Sequence, residues 1–342
     1  MPPPAARERV PVTVLTGFLG SGKTTLLNRL LKQPAFADTA IIVNEFGEIG
    51  LDHLLIETVE DNIVLLDAGC LCCTAGASLR DTLADLWVRR VRGRIPPYRR
   101  IIVETTGLAD PAPLLHSLTA DAAVLDHHRL AGIVVCVDAL HGAQELDEHG
   151  EAVKQAAVAD RLVLTKTDVA TPAAVTALRH RLARLNPAAP VTVAVAGALA
   201  PSALLELETI APTAKSPDVA RWLHDEAVHA AHDHDHAPLD VNRHDDRIRA
   251  HSFRLDDRPI SWAGWAAWSA HMRERHGDAL LRLKGLLRID GNPVAVHAVH
   301  KVFDTPIALA AWPDDDPRGR LVLITRDLDR ATIAATLDLL IA

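Results

Sequence analysis

Aromatic residues are scarce in this chain, and no apolar run approaches the roughly 18 residues that a membrane helix needs. Aromatics make up 4% of its 342 residues, with a single tyrosine, so Ala, Val and Leu must fill the core. The opening MPPPAARER lacks the apolar centre of a signal peptide, which predicts a cytoplasmic protein. An excess of positive charge is missing too. The formal charge is −8, which argues against nucleic acid as the main partner, because polyanion binders carry positive surfaces. The arginines at 89, 90, 92, 94, 99 and 100 read as a solvated helix end rather than a nucleic-acid contact. The four cysteines do not suggest a disulfide framework. Cys70, Cys72 and Cys73 are too close together to bridge one another, and thiols clustered in this way bind metal or do redox chemistry. Cys136, inside the apolar stretch 132–137, is expected to be a small buried hydrophobe in a strand.

What the chain does have is a β-branched apolar run, 10–15, followed by G-x-x-x-x-G-K-T (17–24) and then the helical 26–31. Strand, glycine-rich loop and helix together make a phosphate-binding P-loop. Gly17, Gly20, Ser21 and Gly22 turn backbone N–H groups toward phosphate oxygens, and the helix N-terminus at Thr24 and Thr25 adds its positive end. Lys23 would reach the β- and γ-phosphates, and the Thr24 hydroxyl would ligate Mg²⁺. Further apolar strands are expected at 39–43, 62–66, 100–104, 132–137, 161–164 and 191–195, with helical segments between them. Continuous apolar strands alternating with helices predict an α/β fold: a P-loop NTPase parallel sheet with helices on both faces. Ligands then bind beyond the strand C-termini.

At those C-termini stand the other candidates. Glu104 is expected to support Mg²⁺ through its water shell, and Gly107 has the spacing of a switch glycine whose N–H meets a γ-phosphate. Thr165-Lys166-Thr167-Asp168 resembles the guanine-reading N-K-x-D element, with Thr165 where Asn is usual. Asp168 would accept from guanine N1–H and the exocyclic amine, and the Lys166 stem would lie along the base. A helix N-cap at Asp168 is the competing reading. The element argues for GTP and against an ATP-using P-loop kinase.

C-x-C-C offers three thiolates, suited to Zn²⁺, Co²⁺ or Cu⁺, and leaves one tetrahedral position open. An incomplete site suits a metal that arrives and leaves. Glu45, Glu48 and Asp52 lie on the loop after the second strand, where they could assist Mg²⁺, position water or complete the transition-metal site. Glu48 joins Lys23 and Glu104 as a candidate catalytic side chain. His53 reads as an exposed polar residue. His224, His229, His232, His234, His236 and His244 form a histidine-rich stretch, either a solvated linker or a weak metal-loading segment.

Three regions are expected: a nucleotide-binding domain (1–211), the histidine-rich linker (212–249) and a smaller C-terminal α+β domain (250–342). The last should hold strands at 250–256, 280–289, 294–302 and 320–325, helices at 261–276 and 329–341, and a hairpin turn at Asp290-Gly291-Asn292-Pro293.

GFLGSGKTTLLNRLL (17–31), NEFGEIGLD (44–52), GCLCC (69–73), ETTGLADP (104–111), TKTD (165–168) and LLRLKGLLRIDGNP (280–293) together resemble the CobW-like P-loop GTPases, relatives of nickel- and cobalamin-linked metal-insertion GTPases. The resemblance covers nearly the whole chain. It implies a slow GTPase acting as a metallochaperone, usually for Zn²⁺ and in some members Co²⁺, with a client metalloprotein as partner and a homodimer possible. It places metal at Cys70, Cys72 and Cys73 and nucleotide at Gly17 to Thr24. A metal store or sensor with nucleotide in a structural role is the alternative.

Overall fold

A computed structural model of the chain describes residues 9–44, 63–67, 79–205, 207, 247–255, 259–313 and 316–341. Two compact units emerge. One comprises the chain up to Glu145 with Ala159–Arg179 and Val191–Leu207; the other comprises Leu146–Val158, His180–Pro190 and the chain from Glu208 onward.

The first unit is built on strands β1 (Val10–Gly17), β2 (Thr39–Asn44), β3 (Ile63–Asp67), β4 (Arg100–Thr105), β5 (His128–Asp138), β6 (Arg161–Thr165) and β7 (Val191–Val193). They form one seven-stranded sheet, ordered β3-β2-β4-β1-β5-β6-β7. Every pairing is parallel, as apolar strands separated by helices require. The helices include α1 (Lys23–Leu31), α2 (Leu79–Val91), α3 (Pro111–Ala120), α4 (Gly142–Glu148), α5 (Gly150–Val158) and α6 (Pro172–Leu185). On α1, Leu26, Leu27, Leu30 and Leu31 recur at helical spacing and pack with Leu15, Ile41, Ile102, Val134 and Val163 of the sheet in one buried core. β5 begins four residues earlier than its apolar run, because His128 to Leu130 extend the pairing with β1 from Val10 to Val12. Between β5 and β6 there are two helices where the sequence suggests one. They break between Glu148 and Gly150, and α5 falls in the second unit.

That second unit carries β8 (Ile248–Leu255), α7 (Trp262–His276), β9 (Leu280–Ile289), β10 (Asn292–Val299), β11 (Val302–Phe303), β12 (Ile307–Ala308), β13 (Gly319–Arg326) and α8 (Arg330–Thr336). Its sheet is antiparallel, ordered β11-β10-β9-β13-β8, with β12 also paired to β10. The expected hairpin turn joins β9 to β10. Ile289 pairs with Asn292, and Asp290 and Gly291 both take positive φ, 46° and 81°, as a two-residue turn matched to strand twist demands. The strand expected over 294–302 divides at His300, whose φ of 51° turns the chain back into β11. Trp268 is fully buried, and its indole N–H donates to Thr336 Oγ1 at 2.9 Å, tying α7 to α8.

Candidate functional site

The carboxyl ends of β1, β2, β4, β5 and β6 deliver Gly17, Asn44, Thr105, Asp138 and Thr165 to one edge of the sheet. β1 lies between β4 and β5, so its loop emerges where the strand order reverses, the position at which such sheets bind ligands. Gly17 has φ 141°, and a Cβ there would run into the Cys136 carbonyl, so only glycine lets β1 turn into the loop beside β5. Gly22 then caps α1 from the left-handed region. Lys23 is buried, and its Nζ donates to the carbonyls of Gly17 (2.9 Å) and Phe18 (3.2 Å). The ammonium thus lies across the loop, within reach of a polyphosphate it would wrap. Ser21 is fully buried, while Thr25 is exposed.

Glu104, at the end of β4, is only 3% exposed. Thr24 Oγ1 donates to its Oε1 at 2.9 Å. A hydroxyl and a carboxylate at hydrogen-bond distance, at the phosphate end of the loop, form the hard oxygen donor set that Mg²⁺ prefers. Beneath them Thr105 Oγ1 donates to Thr16 Oγ1 at 2.6 Å, pinning β4 to β1 in the core. Gly107 comes against the P-loop itself: a Cβ there would stand 2.5 Å from the Leu19 nitrogen. The loop after β4 therefore touches the glycine-rich loop after β1 through backbone.

At the end of β6, Thr165 Oγ1 donates to the Ser21 carbonyl at 2.7 Å. Threonine in the usual asparagine position thus still ties the 165–168 loop to the phosphate loop. Lys166 takes a positive φ of 55° and its Nζ donates to Asp138 Oδ2 at 2.7 Å. Asp168 is exposed in the turn that follows. It is not the helix cap: α6 starts at Pro172, and the Ala174 N–H donates to Thr171 Oγ1 at 3.2 Å. Cys136 is buried in β5, and burial pushes its thiol up to about 12, so it stays neutral, as the sequence suggests.

Two features of this edge escape a reading of the sequence. Asp138 is a single acid closing an apolar strand, and only the fold brings it to Lys166. The 195–199 turn also reaches the site, since a Cβ on Gly197 would lie 3.0 Å from the Thr25 carbonyl. A glycine soon after β7 is the only trace of it in the sequence.

Glu45, Glu48, Asp52, His53, Cys70, Cys72, Cys73 and the six histidines of 224–244 lie outside the described residues. Among the described residues, no group of three or more His, Cys, Asp or Glu side chains is placed to hold a metal ion. The arginine cluster is engaged locally: Arg89 pairs with Asp85 at 2.6 Å, Arg90 lies over the rings of Trp87 and Tyr98, and Arg100 donates to the Ala35 carbonyl. No described helix is long and apolar enough to cross a membrane.

Sheet order, phosphate loop, Thr24–Glu104 pair and base loop together define a P-loop nucleotide-binding protein with a separate antiparallel C-terminal domain. The model of the CobW/HypB/UreG nucleotide-binding domain matches residues 11–193, and that of the cobalamin synthesis protein cobW C-terminal domain matches residues 248–340. The chain belongs to this family. It is 32% identical to the zinc chaperone YjiA of Escherichia coli over 332 residues, covering 95% of this chain and 97% of that one. It is 28% identical to the zinc-regulated GTPase metalloprotein activator 1 of Schizosaccharomyces pombe, covering 94% and 84% respectively. The crystal structure of Zn(II)-bound YjiA GTPase from E. coli matches with a TM-score of 0.72 at 28% identity, covering 97% of this chain and 99% of that one.

Proposed function

We propose that the chain is a GTP-hydrolysing metallochaperone that binds Zn²⁺ through Cys70, Cys72 and Cys73 and releases it to a client metalloprotein under control of the nucleotide. Gly17 to Thr25 hold the triphosphate, and Lys23 meets its β- and γ-oxygens. Thr24 and Glu104 would hold Mg²⁺, which offsets charge on the phosphates when bound. Gly107 presents its N–H to the γ-phosphate, Asp168 and Lys166 read guanine, and Glu48 is the candidate for orienting the attacking water. Zn²⁺ is cargo here, and Co²⁺ suits the same thiolates.

One observation carries the coupling between cargo and nucleotide. Val43 of β2 is in register with Asp67 of β3 on one side and Glu104 of β4 on the other. Strands lie about 4.8 Å apart, so the residue that opens the 67–74 loop is about 10 Å from the Mg²⁺ carboxylate's backbone. Asn44, which opens the loop bearing Glu48, pairs with Thr105. Asp67 and Asn44 thus stand at the same sheet edge as Glu104, which supports the coupling. GTP would order both loops and tighten the thiolate site, and hydrolysis would loosen it.

Reciprocal variants test the assignment. Replacing all three cysteines by Ala should abolish tight zinc binding and leave GTP binding in place, while Lys23→Ala should do the reverse. Tight zinc binding that survives the triple substitution would place the cargo site elsewhere.

A further inference from the structure

Asp138 closes β5 with its side chain only 2% exposed, yet it carries a full set of hydrogen bonds. Its Oδ1 accepts the Leu140 N–H at 2.8 Å, and its Oδ2 accepts Lys166 Nζ at 2.7 Å, with His141 Nδ1 at 3.1 Å from the same oxygen. Burial raises the Asp138 carboxyl, but the Lys166, Leu140 and His141 bonds outweigh it and hold the group below the ordinary carboxylate range. It is therefore ionised at neutral pH. Across from it on α4 stands Glu145, raised to about 7 by burial and by the Asp138 charge. Asp138 is thus the carboxylate of this pair that stays charged.

Lys166 needs such a partner. Its backbone sits in the left-handed region, an uncommon state for a lysine, and its side chain, 37% exposed, ends on the Asp138 carboxylate. The adjacent Thr165 is already fixed by the Ser21 carbonyl, and the Ala139 N–H donates to the Thr165 carbonyl at 3.0 Å. The loops after β5 and β6 are joined as one piece, with Asp138 at its centre.

We propose that Asp138 is the positioning residue for nucleobase recognition: its buried carboxylate draws the Lys166 ammonium back and holds the lysine stem flat as the surface on which guanine stacks. Asp138 acts through Lys166 and touches no phosphate. The inference rests on the guanine-nucleotide reading of the 165–168 loop.

A double-mutant cycle on the full chain tests it, with GTP, GDP and inorganic tripolyphosphate as probes, each with Mg²⁺. Asp138→Asn keeps the Leu140 bond but loses the charge, and should weaken GTP and GDP by about tenfold, the scale of one charge-assisted bond. Tripolyphosphate affinity should not change. Lys166→Met should weaken GTP similarly, and adding Asp138→Asn to it should cost little more. Asp138→Asn that leaves GTP affinity intact, or that weakens tripolyphosphate equally, overturns the proposal. Lys166→Met without effect on GTP instead overturns the guanine reading on which it rests. If Asp138→Asn does not fold, acetylation of the native protein decides. The ion pair holds the Lys166 ammonium against the buried Asp138 carboxylate, so Lys166 should react more slowly with acetic anhydride than the same lysine in a peptide spanning 160–172. Equal rates would refute the clamp.

Discussion

Gly107→Ala is a small change with a large expected effect on hydrolysis. The added Cβ would stand 2.5 Å from the Leu19 nitrogen and 2.7 Å from its Cα, where ordinary contact begins at 3.4 Å. The two backbones must part by about 0.9 Å, and neither yields cheaply. Leu19 belongs to the glycine-rich loop between β1 and α1, the proposed phosphate cradle, and Gly107 follows β4, which is pinned by Thr105 to Thr16. A displacement of about 1 Å in a reacting geometry costs on the order of 100-fold in the chemical step. Nucleotide held by Gly17–Lys23 and the base loop should suffer far less. Single-turnover GTP hydrolysis should therefore slow by about two orders of magnitude, with GDP affinity within about fivefold of the parent. Hydrolysis within about threefold of the parent, in a variant of unchanged Tm, would show that this backbone contact has no part in catalysis.

Thr165→Val keeps shape but orphans the Ser21 carbonyl, a loss of about 1 kcal/mol that should lower Tm by about 2–4 °C, and Thr165→Asn should restore it. Recovery with Val alone would deny the tie between base and phosphate loops. His128 is 1% exposed, and burial depresses its pKa from 6.5 to about 4. The unfolded chain thus takes up a proton that the folded chain refuses, so stability falls as pH drops from 6.5 toward 4. The loss from this group is on the order of 1 kcal/mol at pH 5.5 and about 2–3 kcal/mol at pH 4.5 relative to pH 8. Urea unfolding of the parent and of His128→Leu should diverge by these amounts, and parallel curves would refute the assignment.

What could be read in advance was whatever is local. The phosphate loop, the apolar strands and the Asp290-Gly291 turn are each specified by residues adjacent in sequence, so spacing alone reveals them. His128 to Leu130 look like loop because only β1, more than 100 residues away, makes them strand. Asp138 is the same case at the site: nothing near it hints at Lys166, 28 positions on. Thr165 looks like a defect in a motif until the Ser21 carbonyl is seen to accept from it. Long-range pairing of polar groups leaves no periodicity to read.

Zinc affinity, measured with a competing chelator in the presence of a non-hydrolysable GTP analogue and again with GDP, tests the coupling most directly. Zinc should bind more tightly with the analogue than with GDP, by the same factor by which zinc raises the preference for the analogue over GDP. Equal zinc affinity in both nucleotide states would contradict it.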